Sequence, residues 1–357
     1  MGGENGKRAR PVVLHVTECF EGGVGRAMQN IAATATFADH HLLAAGADMN
    51  SADAVRNFSS VEALPKGIVK QARVVHRALR RTTADAVHAH SSWAGVYTRT
   101  VGTRAALIYQ PHGYAFEMSG RVRSAVFYCA EKLLALRSQT IVVLSKREEF
   151  LARKLNVRRP THHLTNLPTV PVAVGDRSKA VLTGTAPLPV VMIGRIGVQK
   201  APAFFLEVVE HLRNRGVLSA PVWVGDGDPL LRKQLEDQNV RVTGWLQSEG
   251  IVAELDSAAL YMHTAAYEGF PLSVLDAAAR GVPVIARRIP AFDGTDVHQA
   301  SDALGMARDI ELSISDLAFR ERLVENNRLL LADMSMIHFI EQAESLYKAL
   351  RAGDARQ

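Results

Sequence analysis

A chain of 357 residues is long enough for two domains of ordinary size, and 47% hydrophobic with 22% charged residues fits a soluble globular protein with a substantial core. No apolar run approaches the roughly 20 residues of a membrane-spanning helix. The N-terminal MGGENGKRAR lacks the apolar centre of a signal peptide, and Cys19 and Cys129, the only cysteines, exclude a disulfide framework or structural zinc site and point to a reducing compartment, the cytoplasm.

The net charge of +6 is unevenly placed. Residues 1–170 carry 23 Lys and Arg against 12 Asp and Glu, whereas residues 171–357 carry 19 against 24. The basic half suits an anionic membrane surface, a lipid phosphate or nucleic acid, or simply water. Nucleic acid has charge alone in its favour and no motif.

Taken in order, Pro11 to Thr17 (PVVLHVT) is a strand that runs into a glycine turn, Gly22-Gly23-Val24-Gly25-Arg26, and then a helix to about Phe37. Strand, glycine turn and helix open a doubly wound α/β domain. The glycines lack the GxGxxG spacing of a dinucleotide fingerprint, which argues against a nicotinamide dehydrogenase. His41 to Gly46 reads as a second strand. Ile68 to Thr82 reads as an amphipathic helix whose Arg77, Arg80 and Arg81 face water or a membrane. Ala86 to His90 is a strand. His88 and His90, two apart, point the same way; they could begin a metal site, but no acid or cysteine is placed to complete one. Ala106 to Gln110 is a strand followed by Pro111-His112-Gly113, at the carboxyl end where open α/β sheets bind ligands. A histidine there can equally be structural. Arg121 to Arg137 is a long basic helix, residues 140–144 a strand, and Ser145 caps the next helix. Residues 158–174, with 175–189, read as an interdomain linker.

The second half restarts the pattern. Pro189 to Ile193 is a strand, then Gly194-Arg195-Ile196-Gly197-Val198-Gln199-Lys200, then a helix over 203–215. Val222 to Val224 leads into Gly225-Asp226-Gly227-Asp228, Val240 to Thr243 into Gly244-Trp245, and Leu260 to His263 is a further strand. Arg195 and Lys200, beside the N–H groups of a helix start, could neutralise a diphosphate, or be two surface cations. From Thr264 to Ala286 the chain reads loop, helix, turn and buried strand. Pro271 suits the first helical turn and Gly281 the helix stop. Glu268 and Asp276, eight apart, could both look into one cleft, although a plain βα unit with two surface acids fits the same spacing. Ile310 to Leu350 is helical.

Together these stretches resemble retaining glycosyltransferase family four, the glycosyl transferases group one of the bacterial polysaccharide-biosynthesis type. IGRIGVQK, VGDGD, VTGW and YEGFPLSVLDAAARGVPVIA match its donor domain. GGVGRAMQNIA, DAVHAHSSWAG, QPHGYAFE and VLSKREE match its acceptor domain. The resemblance covers roughly residues 11–290 and is specific in combination. It implies the GT-B fold, two Rossmann-like doubly wound α/β domains facing a central cleft: an acceptor-binding domain over 1–170, with a C-terminal helix at 336–357 packing back on it, and a donor-binding domain over 175–335.

The activity implied is transfer of a sugar, with retention, from a nucleotide diphosphate sugar to a hydroxyl of a glycan or lipid-linked acceptor. The resemblance assigns catalysis to Glu268, His112, Arg195 and Lys200. Arg195 and Lys200 bind and stabilise the departing diphosphate, Glu268 bonds the sugar hydroxyls, and His112 reaches the sugar from the other domain. Gly194, Gly225, Gly244, Trp245, Gly269, Phe270, Pro271 and Leu272 complete the donor site, and Asp276 would hold the ribose. Gly22, Gly23 and Arg26 face phosphates or acceptor. No cofactor or metal is required. The basic helices near 68–82 and 121–137 suggest peripheral binding to the inner face of a membrane.

Three departures stand out. Asp276 replaces the family's glutamate, the G-x-P-E segment after Ile289 is missing, and Asn166-Leu167-Pro168 lacks the usual Asn-Gly. The rival readings are a GT-B epimerase or hydrolase and a catalytically weak binding subunit.

Overall fold

Strands covered on both faces read as continuous apolar runs, and such strands pair in parallel. The runs VVLHVT and LPVVMI each lie at the centre of a parallel sheet. The computed structural model describes residues 10–117, 121–137, 140–156, 158–173, 187–217 and 219–349. The chain divides into two compact units, the first built from residues up to Asn166 and from Met336 onward, the second from Leu167–Ser335.

The first unit contains β1 (Val12–Thr17), β2 (Asp39–Ala44), β3 (Ser60–Ala63), β4 (Ala86–His90), β5 (Ala106–Gln110), β6 (Thr140–Val143) and β7 (Thr161–His163), in the order β3-β2-β1-β4-β5-β6-β7. Helices Gly22–Thr34, Ile68–Arg81, Ser92–Arg99, Arg121–Leu134 and Lys146–Leu155 occupy the crossovers. Val16, Val75, Leu79, Val87, Tyr97 and Tyr109 are fully buried together on one side of the sheet.

The second unit contains β8 (Leu188–Ile193), β9 (Ser219–Val224), β10 (Arg241–Val242), β11 (Leu260–His263), β12 (Val284–Arg287) and β13 (Gln299–Ala300), in the order β10-β9-β8-β11-β12-β13. Trp223, Tyr261, Leu275 and Ile285 lie in its core. Each sheet reverses its winding once, between β1 and β4 and between β8 and β11. Open α/β sheets bind ligands outside the carboxyl ends of strands at such points.

Several boundaries differ from the sequence reading. The helix begins at Gly22, inside the glycine run expected to form the turn. The stretch read as linker supplies β7, and the boundary falls at Asn166 rather than 170. The physical reason is bonding: Thr169 N–H and Oγ1 both bond Asp276, and Ala173 N–H bonds the Ala279 carbonyl, so these residues belong with the second unit. The remainder of that stretch, 174–186, lies outside the described residues, as do 1–9 and 350–357. The C-terminal helix Met336–Ala349 belongs to the first unit. Its Tyr347 hydroxyl bonds His88 Nδ1 at 2.9 Å, and its Gln342 accepts from Thr165 N–H and from His162.

Candidate active site

The second unit gathers its polar groups at the carboxyl ends of β8 and β11. Between β8 and the helix Pro202–Asn214, a short 3-10 turn over Val198–Lys200 ends at Ala201, which has φ 51°. The turn brings Lys200 back over Gly194. A Cβ on Gly194 would lie 2.7 Å from Lys200 Cε, so the lysine stem packs directly against the glycine. Gly225 is constrained: it has φ 137°, and a Cβ would meet the Gly194 carbonyl oxygen at 2.3 Å. Gly225 also bridges Gly244. Thus Gly194, Gly225 and Gly244 form one nest of close backbone approaches.

Beside it, Lys200 Nζ lies 2.5 Å from Glu268 Oε1, with side chains only 15% and 10% exposed. Gln199 Nε2 donates to Glu268 Oε2 at 3.2 Å and to the Tyr267 carbonyl. The Lys200 carbonyl accepts from Thr264 Oγ1. Glu268 is therefore held at both carboxylate oxygens by the loop after β8. Arg195 is exposed, its guanidinium 5.9 Å from the centre of the Trp245 ring. Gly269, Phe270, Pro271 and Leu272 are buried behind Glu268.

Pro271 stands one residue before the helix Leu272–Ala279, as its N-cap, rather than inside its first turn. It contributes no capping side-chain bond, which leaves that helix start to backbone groups. Phe292, from the segment that lacks the family pattern, packs edge-on against both Phe270 and His263. An aromatic floor replaces the missing motif.

Glu268 and Asp276 do not share one opening, contrary to expectation. Asp276 is fully buried, its Oδ1 accepting from Thr169 N–H at 2.5 Å and its Oδ2 from Thr169 Oγ1 at 2.8 Å. It ties the entering chain to the helix. The shorter aspartate keeps its carboxylate close to the helix axis, where Thr169 meets it.

His263, which the sequence reading passed over as part of a strand, is buried 3.8 Å from Glu268. Its Nδ1 pairs with the Tyr261 hydroxyl at 3.2 Å, and that hydroxyl donates to Ser273 Oγ. Burial, and secondarily Lys200, push its pKa well down, so the ring is neutral. A histidine at a strand's carboxyl end is the signal that singled out His112, and it applies equally here. Gln199, between two expected cations, was also missed.

In the first unit, His112 follows β5 with φ 53°, a conformation unusual for a residue with a side chain. Its place is fixed by Glu148, which is buried and accepts from Gly113 N–H at 2.6 Å and Leu144 N–H at 2.8 Å. Burial raises the Glu148 pKa to about 7 despite those bonds. Burial lowers that of His112 to about 4. His112 Nε2 meets His90 Nδ1 at 3.0 Å.

His88 and His90 do point the same way, their rings 4.0 Å apart. His15 joins them, with nitrogens of the three within 4.8 Å of one another. However, His15 Nδ1 and His90 Nε2 bond each other at 2.9 Å, which commits nitrogens that a metal would need. Gly22 and Gly23 are exposed at the start of their helix, and half-buried Arg26 interacts electrostatically with Asp48. The start of the helix Ser92–Arg99 is closed by Glu18, which accepts from Trp93 and Ala94 N–H.

Comparison with known proteins decides the family. The sequence family described as "Glycosyl transferases group 1" matches residues 188–315, and "Glycosyl transferase 4-like domain" matches 22–166. The chain belongs to the GT-B glycosyltransferases. Among relatives of this transferase, an Escherichia coli UDP-Gal:alpha-D-GlcNAc-diphosphoundecaprenol alpha-1,3-galactosyltransferase is 24% identical, over 60% of this chain and 60% of that one. An alpha-D-kanosaminyltransferase of Streptomyces kanamyceticus is 24% identical, over 75% and 78%. In fold, the transferase is similar to Anabaena HepE in complex with UDP-glucose, with TM-score 0.76 and 17% identity over 95% of this chain and 99% of HepE. Sucrose-phosphate synthase from Thermosynechococcus elongatus gives 0.75 and 18% over 97% and 100%. Among the described residues no helix is long and apolar enough to cross a membrane.

Proposed function

We propose that this transferase moves a sugar, with retention, from a nucleotide diphosphate sugar to a hydroxyl of a lipid-linked or glycan acceptor in cell-surface polysaccharide assembly. The observation that carries the reading is the Lys200–Glu268 pair set against the glycine nest at the carboxyl ends of β8 and β11. A fixed ammonium and exposed Arg195 suit a diphosphate, and glycine backbone permits its close approach. Lys200 and Arg195 stabilise the leaving diphosphate, so the protein's own cations take the role of a metal. Glu268 accepts bonds from sugar hydroxyls, and His112 bonds another. The acceptor hydroxyl attacks from the face the diphosphate leaves, and no covalent nucleophile is invoked. Arg26, with exposed Gly22 and Gly23 beside it, receives acceptor phosphate. A UDP-sugar and a diphospho-lipid acceptor are supported by the substrates named for the E. coli relative and the UDP-glucose bound to HepE.

An acceptor on a lipid carrier calls for a membrane-facing surface. Val122, Val126 and Leu133 on the helix Arg121–Leu134, and Leu136 just beyond it, are 58–81% exposed, and Arg123, Lys132 and Arg137 are exposed beside them. On the inner side of that helix, buried Glu131 pairs with Arg99 at 3.0 Å and accepts from the Tyr109 hydroxyl. An anchored helix with an apolar, cation-flanked outer stripe suits an anionic bilayer surface on the cytoplasmic side. The other basic helix is the weaker candidate, because Arg77 and Arg81 line a hollow of about 700 Å³ together with Asp39 and Glu62.

The test is transfer from a panel of UDP-, GDP-, ADP- and TDP-sugars to polyprenyl-diphosphate-linked saccharides, with the anomeric configuration read by NMR. One donor should be consumed only with acceptor, giving a product of retained configuration. Consumption without acceptor would indicate a hydrolase or epimerase. Tight binding without turnover would indicate the catalytically weak binding subunit. Flotation with vesicles containing anionic lipid should fail for V126E/L133E; equal flotation of that variant would remove the membrane assignment.

A further inference from the structure

The first unit holds a continuous file of four imidazoles. His112 Nε2 meets His90 Nδ1 at 3.0 Å, His90 Nε2 meets His15 Nδ1 at 2.9 Å, and His15 Nε2 meets His40 Nδ1 at 2.9 Å. The file ends where His40 Nε2 meets the Ala35 carbonyl oxygen at 3.0 Å. Each ring uses both nitrogens except the first: among the described residues, none bonds Nδ1 of His112, and that ring is partly exposed.

The terminal carbonyl sets the direction of every bond in the file. A carbonyl can only accept, so His40 Nε2 carries hydrogen. Burial lowers the pKa of each of the four rings, so each carries a single proton at neutral pH. His40 Nδ1 is then bare and accepts from His15 Nε2–H. His15 Nδ1 accepts in turn from His90 Nε2–H, and His90 Nδ1 from His112 Nε2–H. His88 is outside the file, paired through Nδ1 with the Tyr347 hydroxyl.

We propose that the Ala35 carbonyl, acting through His40, His15 and His90, fixes His112 in its Nε2–H form, so that Nδ1 is a neutral acceptor that admits donors bearing a sugar hydroxyl and rejects those bearing a carboxylate there. The substrate half of this inference rests on the reading that His112 meets the transferred sugar. A hydroxyl donates to a bare nitrogen. A carboxylate has no hydrogen to give, and a ring that stays neutral offers it no charge. The donors selected are neutral hexoses, and those excluded are uronic acids. His112 is the contact residue, and His90, His15 and His40 are positioning residues.

The tautomer is read on the protein alone by long-range imidazole ¹H–¹⁵N correlation at neutral pH. Wild type should show His112 Nδ1 as a bare, pyridine-type nitrogen and Nε2 as protonated. His40→Leu removes the link to Ala35 and should populate the opposite form. His40→Gln, whose amide can accept from His15 and donate to Ala35, should restore the first form. A protonated Nδ1 in wild type would overturn the proposal, as would an unchanged spectrum in a folded His40→Leu. In donor binding, uronic-acid nucleotides should be weaker than the matching hexose nucleotides by about tenfold or more, the worth of roughly one hydrogen bond. Equal binding of the two would overturn the selectivity. His112→Ala tests the underlying reading separately: if it leaves hexose donor binding unchanged, His112 does not meet the sugar, whatever its tautomer.

Discussion

The two α/β units wind their sheets alike, yet the ends of their central strands carry opposite chemistry. Along β1, β2 and β4 and just past the end of β5 stand imidazoles that burial keeps neutral, joined nitrogen to nitrogen. Beyond β8 and β11 stand an ammonium and a carboxylate in contact, with backbone packed so closely that a Cβ on Gly225 would meet the Gly194 carbonyl. One end is suited to hydroxyls and the other to anionic charge. The difference shows how one topology carries two kinds of chemistry: the fold supplies the place, and the residues on and after each strand supply the groups.

The comparison breaks most visibly if the charged pair is disrupted. Glu268→Ala should lower kcat by about a thousandfold, in the range seen when a group that stabilises a transition state is removed. Thermal unfolding should show the fold retained. Transfer at the wild-type rate would remove Glu268 from the chemistry and leave it as a partner of Lys200.

Acid should separate the units next. A histidine whose folded pKa lies below its unfolded value binds fewer protons when folded. Its stabilising contribution is complete above the unfolded value of 6.5 and is lost as pH falls toward the folded value, about 4 for His112. Each such histidine costs about 1.4 kcal/mol per pH unit in that window. The first unit has six so shifted, His15, His40, His88, His90, His112 and His162, whereas in the second the shift is resolved for His263. Glu148 opposes them: its pKa is raised from 4.5 to about 7, so its contribution falls as pH rises through that interval. Hydrogen exchange at pH 7.5 and 5.5 should show amides of β1, β4 and β5 losing protection first on acidification. Earlier loss in β8 and β11 would contradict the contrast.

A smaller effect sharpens the status of the two acids. Thr169→Val removes one bond to a buried carboxylate and should lower stability by about 1–3 kcal/mol, measured by urea unfolding, with the donor KM nearly unchanged. A large rise in donor KM without loss of stability would return Asp276 to the nucleotide.

Much of this architecture is readable from the chain, because apolar runs such as PVVLHVT and TIVVL end at glycine or polar turns and alternate with helical periods. The elements that escape are those with little apolar content. The edge strand Ser60–Ala63 is exposed at every residue, and Thr161–His163 is three polar residues that pair only because β6 lies beside them. In the site, spacing identifies Lys200 and Glu268 but not their contact, which depends on the left-handed turn at Ala201. Spacing also suggests a pairing of Glu268 with Asp276 that Thr169 prevents, since a residue 107 positions away leaves no local signal. In sequence His15 looks like a strand residue and His40 lies just before one, and only the register of β1 beside β2 and β4 places both near His90.

The division between a charged end and a neutral end is tested most directly by calorimetric titration of UDP and of the preferred UDP-sugar into wild type, Lys200→Ala and His112→Ala. The account predicts that Lys200→Ala weakens both ligands by about tenfold or more, as loss of a charge-assisted bond implies. It predicts that His112→Ala leaves UDP unchanged and removes only the extra affinity due to the sugar. UDP binding that ignores Lys200, or that falls with His112→Ala, would contradict it.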